Sequence, residues 1–113
     1  MSKVFGMHMI ALKPGVKAED FEKFVTTEIY PLPSLAGLKS YLLKGDRGDR
    51  EDRYLMMYEF ESVEVRDRYF PSPGVASKEA QQILESYAAA MEKWATFATP
   101  GDVISTDYVV VGK

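Results

Sequence analysis

The stretch Tyr54-Leu55-Met56-Met57-Tyr58-Glu59-Phe60-Glu61-Ser62-Val63-Glu64 decides how the rest of the chain is read. Tyr54, Met56, Tyr58 and Phe60 recur at every second residue and so share one face of a strand, with Leu55 and Met57 on the other. Both faces are apolar, unlike those of a sheet with one side in water. Ser62 is a residue type whose hydroxyl accepts the orphan amide hydrogens of a helix start, so the strand over 54–61 leads into a short helix through Phe70. Pro71 and Pro73 stop that helix, because proline has no amide hydrogen to donate.

Upstream lies Leu38 to Lys44, a second strand, joined to the third by KGDRGDREDR, residues 44–53. Gly45 and Gly48 break regular structure there and four basic charges balance four acidic ones, as at a solvated hairpin tip. The glycines lack the Lys-Ser/Thr ending and strand-to-helix context of a phosphate loop. Arg47-Gly48-Asp49 is a tripeptide short enough to arise by chance. Val4 to Lys13 is a first strand, with Val4, Gly6, His8, Ile10 and Leu12 on one face and Phe5, Met7, Met9 and Ala11 on the other. Pro14-Gly15 ends it. A helix follows from about Ala18 to Ile29, with Phe21, Phe24, Val25 and Ile29 at helical spacing, until Tyr30-Pro31-Leu32-Pro33 breaks it.

Downstream, Ala76 to Ala98 reads as one long helix with Ile83, Leu84, Tyr87, Met91, Trp94 and Ala95 along a stripe. Pro100-Gly101 punctuates it, and Val103 to Val111 is a last strand rich in β-branched residues. The order strand, helix, strand, strand, helix pair, strand is that of an α+β, ferredoxin-like split βαβ domain. It predicts a four-stranded antiparallel sheet with helices on one face, built as a single domain over residues 1–113.

Helices on one side leave the other sheet face bare, and on the first and third strands either face is apolar. Ile104, Tyr108 and Val110 face one way on the last strand, against Val109 and Val111. A contiguous apolar patch of that size is rare on a soluble monomer. Burial of each such side chain is worth ~1.5–3 kcal/mol. The simplest closed arrangement is a two-fold homodimer with the sheets face to face. The pattern leaves open which face of each strand turns inward.

Composition narrows the function classes. The net charge is −3, with signs interspersed, so nothing offers a phosphate backbone a basic face, and nucleic acid is not an expected partner. The absence of cysteine removes disulfides, thiolate nucleophiles and cysteine-ligated metal. With a single histidine, a transition-metal site is not expected. No apolar run approaches the ~18 residues of a membrane span, and no signal-peptide pattern is visible, so a cytoplasmic location is the expectation.

The strand end at residues 54–61, the Ser62-Val63-Glu64 helix start, Tyr69 and the Pro71-Ser72-Pro73 stop together resemble the dimeric α/β-barrel superfamily. The likeness is nearest to its stress-responsive barrel and antibiotic-biosynthesis-monooxygenase branches. It spans nearly the whole chain and rests on structural motifs. It implies a two-fold dimer, a small-molecule cavity, and activities such as cofactor-free oxygenation, cyclisation or isomerisation of aromatic or polyketide-like compounds. In the cyclases of this fold a tyrosine stands at the position of Tyr69, whereas the positions of their histidines are occupied here by Gly6, Tyr54 and Val75. The monooxygenases lean on asparagine, which this chain lacks. Heme-degrading members place a histidine on a helix, and the histidine here is on the first strand.

The candidate site residues follow. His8, with an ordinary pKa near ~6.5, suits proton transfer at neutral pH. Its alternative is a core histidine bonded to a tyrosine or a carbonyl. By the resemblance its face points into the barrel. Tyr54, Met56 and Tyr58 form a row able to line a pocket for a flat hydrophobic or aromatic ligand, the phenols orienting ligand oxygens. The alternative is sheet core or dimer interface. Tyr69 either donates to a ligand or caps the core beneath the short helix. No cofactor is expected. Two functions stay open: a cofactor-independent enzyme with His8 as acid or base, and a non-catalytic dimer that binds a hydrophobic ligand or serves as a structural module.

Overall fold

The computed structural model describes residues 2–99 and 105–112. Strand β1 (Val4–Ile10) is followed by helix α1 (Ala18–Phe24), which widens into a π-helical turn over Val25–Ile29. Next come β2 (Leu38–Lys44), β3 (Tyr54–Phe60), α2 (Val63–Tyr69), α3 (Lys78–Glu85), α4 (Ala88–Phe97) and β4 (Ser105–Val109). The strands form one antiparallel sheet in the order β2-β3-β1-β4. This is the α+β, ferredoxin-like arrangement that the element order predicts.

The register assigns the faces. Tyr54, Met56, Tyr58 and Phe60 share a face with Val4, Gly6, His8 and Ile10, and α1 to α4 cover that face. Phe5, Met7 and Met9, with Leu55, Met57, Tyr41 and Tyr108, stand on the opposite, uncovered face.

Beneath the helices the core divides in two. One cluster gathers Ile10, Phe21, Phe24, Val25, Tyr54 and Met56 under α1 and α4. The other gathers Val4, Leu35, Phe60, Tyr69 and Ala80 under α2 and α3. Phe21 sits at the centre of an aromatic group, meeting Tyr54 edge-on at 5.4 Å and Trp94 at 5.3 Å between ring centroids. Such edge-to-face pairs contribute about 0.5–1.5 kcal/mol beyond area burial.

Three boundaries differ from the sequence reading. β1 ends at Ile10, and Leu12 instead forms an isolated bridge with Ala98. Of the last strand, Ser105–Val109 is found, while Val103 and Ile104 lie outside the described residues. The long helix expected over 76–98 is two helices with a break at Ser86-Tyr87. There the Ser86 hydroxyl donates to the Ile83 carbonyl at 2.6 Å, and the Ser86 and Tyr87 amides reach back only three residues. A serine hydroxyl taking a backbone carbonyl this way competes with the helix ladder. The inward stripe accordingly runs Ile83, Tyr87, Ala90, Trp94 and Phe97, while Leu84 and Met91 turn outward.

The charged loop is a hairpin tip. The Gly45 amide donates to the Arg53 carbonyl at 2.7 Å, and Asp46 to Arg53 are exposed. A Cβ at Gly45 would lie 1.8 Å from the Arg50 carbonyl oxygen, so only glycine fits. Among the described residues no helix is long and apolar enough to cross a membrane.

Candidate functional site

Between the two core clusters runs a seam poor in side-chain bulk. Across the sheet its row reads Ser40, Tyr58, Gly6, Asp107. Tyr58 packs against both clusters and so spans the seam. Gly6 leaves the space beside it to Asp107, whose Oδ1 would lie 3.0 Å from a Cβ there. The other carboxylate oxygen accepts from Arg66 Nη1 of α2 at 2.5 Å, which closes the β4 end of the seam. His8 is one step along the same face, paired with Met56 on β3 and Ser105 on β4. Register makes it a diagonal neighbour of Tyr58, at a separation long side chains bridge.

The sequence-predicted residues divide by what their polar atoms do. The Tyr54 hydroxyl donates to Glu22 of α1, a carboxylate also paired with Lys44 at 3.4 Å. Burial, and then that bond, push the Tyr54 phenol far above its ordinary pKa, while the bond holds Glu22 below the usual carboxylate range. Tyr69 is 2 % exposed and donates to the Ala36 carbonyl at 2.7 Å, anchoring the loop before β2. Met56 is buried core. His8 and Tyr58 are different. Both are half-buried, and among the described residues neither makes a side-chain hydrogen bond. Burial pushes the Tyr58 phenol up to about 12 and draws His8 below its ordinary value. At neutral pH the seam therefore presents a protonated phenol beside a neutral imidazole, a donor next to a base.

The face that carries His8 is the helix-covered one. A site built on it lies between sheet and helices, not on the open face toward a second sheet. Two surface clefts, of about 500 and 480 Å³, lie elsewhere: one at the base of the hairpin around Lys44 and Asp52, the other around Lys3, Gly37, Glu59 and Glu61. Neither touches His8 or Tyr58. Among the described residues no group of three or more His, Cys, Asp or Glu is placed to hold a metal ion.

Sequence reasoning did not pick out Arg66 or Asp107, and it placed Tyr87 only on a helix stripe. The alternation of the last strand already puts Ser105, Asp107 and Val109 on one face, but only the register sets Asp107 opposite Gly6. The Tyr87 hydroxyl donates to the Pro33 carbonyl at 2.7 Å, a link across 54 residues that no local pattern announces.

No family model matches the chain, and no curated protein does. Among solved structures it is similar to a Dabb-family protein with a ferredoxin-like fold from Mesorhizobium loti, at 15% identity and a TM-score of 0.59, over 99% of this chain and 100% of that one. It is also similar to a dimeric protein of unknown function and ferredoxin-like fold from Bacteroides fragilis, at 13% identity and a TM-score of 0.54, over 96% of each. At such identities the likeness is one of fold, and over nearly its whole length this chain has the ferredoxin-like fold that the resemblance to dimeric α/β barrels implied.

Proposed function

We propose that the protein is a homodimer that binds a small hydrophobic or aromatic molecule at the seam, where His8 transfers a proton without a cofactor. The observation that carries this reading is the uncommitted pair. Tyr54, Tyr69 and Tyr87 all spend their hydroxyls on the protein itself, whereas Tyr58 and His8 do not. An unspent donor and an unspent base, adjacent in a half-buried apolar setting, suit a ligand with an oxygen atom on a flat apolar body. Isomerisation or cyclisation of an aromatic or polyketide-like compound needs one well-placed acid or base, which His8 provides.

The dimer is supported by the open face. Met7 and Met57 pair directly at its centre, flanked by Tyr41 and by the neighbouring Met9, Leu55 and Phe5. Tyr41, Leu43 and Tyr108 are 37%, 38% and 53% exposed, an apolar surface that a second copy of the sheet would cover. The similar Bacteroides fragilis protein is described as dimeric.

A second reading is a binding or structural module without catalysis. It is favoured by the internal engagement of Tyr54 and Tyr69, which leaves fewer groups to orient a substrate. The test uses His8 as a unique reporter, since the chain has one histidine. Its imidazole resonances are followed by NMR while neutral two- and three-ring aromatic ketones are added. The proposal expects a saturable shift that Tyr58→Phe weakens, with turnover of a bound ketone lost in His8→Gln. A saturable shift without turnover selects the non-catalytic reading, and turnover untouched by His8→Gln removes His8 as the acid or base. No shift with any ketone removes the seam as a binding site.

A further inference from the structure

We propose that α3 and α4 form a strap over the seam, and that the hydrogen bond from Tyr87 to Pro33 is the latch that governs access to Tyr58. The strap is fixed at its two ends to different cores. At the α3 end, Ala80 is buried in the second cluster, the Ser77 amide donates to the Tyr69 carbonyl at 2.8 Å, and Arg68 of α2 pairs with Glu79 at 3.1 Å. At the α4 end, the Lys13 amide donates to Phe97 and the Thr99 amide to Ala11, each at 2.8 Å, while Trp94 and Phe97 join the aromatic group around Phe21.

Between those anchors the hold is the packing of Tyr87 and Ala90 on the first cluster, the Lys93–Glu28 pair at 2.6 Å next to Trp94, and one further hydrogen bond. From residue 84 to residue 92 the Tyr87–Pro33 bond is the single hydrogen bond to another segment among the described residues. Leu84 and Met91 are 42% and 44% exposed, and no residue of α4 is fully buried. The helix ladder is interrupted at the same place, since the Ser86 and Tyr87 amides bond three residues back and the ladder resumes with the Met91 amide on the Tyr87 carbonyl. A segment with few buried contacts and a broken ladder is where local opening costs least.

The latch closes onto a fixed keeper. Pro33 belongs to the loop before β2, where Leu35 is buried in the second cluster and the Ala36 carbonyl takes the Tyr69 bond. The nearby Tyr30 hydroxyl accepts the Leu42 amide at 2.8 Å. Beneath the strap the neighbours of Tyr58 in its row are Gly6 and Ser40, which have almost no side chain to cover it. Cover must come from above, and Tyr87 packs on the same cluster as Tyr58. Because each end is anchored in its own cluster, lifting the middle disturbs only the packing of Tyr87 and Ala90 on the first.

The strap's role as a gate rests on the seam being the binding site, and the test separates the two. Tyr87→Phe keeps the ring and removes the latch. Loss of one such bond predicts about two- to tenfold faster amide hydrogen exchange across 84–92. It also predicts about two- to tenfold faster nitration of Tyr58 by tetranitromethane, followed by peptide mass spectrometry. Tyr69, sealed in the second cluster, serves as the internal reference and keeps its rate. Unchanged exchange, unchanged Tyr58 nitration, or a parallel rise at Tyr69 overturns the latch. Binding of the neutral dye Nile red is measured on the same two proteins. Faster entry in the variant supports the gate. If labelling accelerates while neither protein binds the dye or the ketones, the binding-site reading falls and the strap stands.

Discussion

Met57→Lys puts a charge at the centre of the open sheet face, directly opposite Met7 and beside Tyr41. Met57 faces away from the helices, so neither core cluster loses a contact and the monomer should keep its secondary structure. The side chain is already half-covered by its neighbours, so the lower end of the burial range applies, about 1.5 kcal/mol per methionine. A two-fold interface contains it twice, which makes about 3 kcal/mol, or roughly a hundredfold weaker dimer. The cost of stripping water from two ammonium groups in an apolar interface adds to this. Sedimentation equilibrium over a concentration series measures the effect, with circular dichroism to verify the fold. Unchanged association in a folded variant would refute the assignment of this face to the dimer. A wild-type protein that is monomeric throughout would refute the dimer itself.

Three further outcomes follow from the helix side of the sheet. Phe21→Ala removes a ring with no exposed surface from the aromatic group and should cost about 3–5 kcal/mol in denaturant unfolding. Tyr69→Phe removes the donor to the Ala36 carbonyl, which lies at an exposed residue, and should cost about 0.5–1.5 kcal/mol, with faster hydrogen exchange in the loop before β2. His8 titrates below its ordinary value of 6.5 in the folded chain, so the unfolded chain takes up the proton first. Stability should therefore be flat above about pH 7 and fall as the pH drops through 6.5 toward the lower folded value. His8→Gln should abolish that segment of the pH–stability curve, and an identical curve in the variant would contradict the burial of a neutral imidazole.

The period-two alternation of Tyr54 to Phe60, the Ser62 cap and the Pro71 stop are local signals, written by the spacing of apolar residues and by single residues with special backbone chemistry. They were enough to place the strands, the short helix, the hairpin tip and the ferredoxin-like order. The two apolar faces of β1 and β3 were likewise visible. Which of them the helices cover was not, because alternation gives two rows without saying which lies inward. Register, set by long-range pairing, resolved it by putting His8 and Tyr58 beneath the helices and Met7 with Met57 on the open side.

The break at Ser86-Tyr87 shows the same division. Nothing there forbids a helix as proline would, and the apolar stripe runs through it. The break falls where the chain passes from Ile83, packed on Tyr69's cluster, to Tyr87, packed on Phe21's. The role of each tyrosine was also a tertiary matter. A phenol's chemistry is fixed by its residue type, but whether it is spent on a carbonyl 33 residues away, as in Tyr69, or left free, as in Tyr58, depends on what the fold brings within hydrogen-bond reach. The elements and their order follow from neighbours along the chain and so are legible in residue spacing. The seam, the uncommitted pair within it and the strap above it were decided only by the tertiary structure, because each depends on contacts between residues the chain keeps far apart.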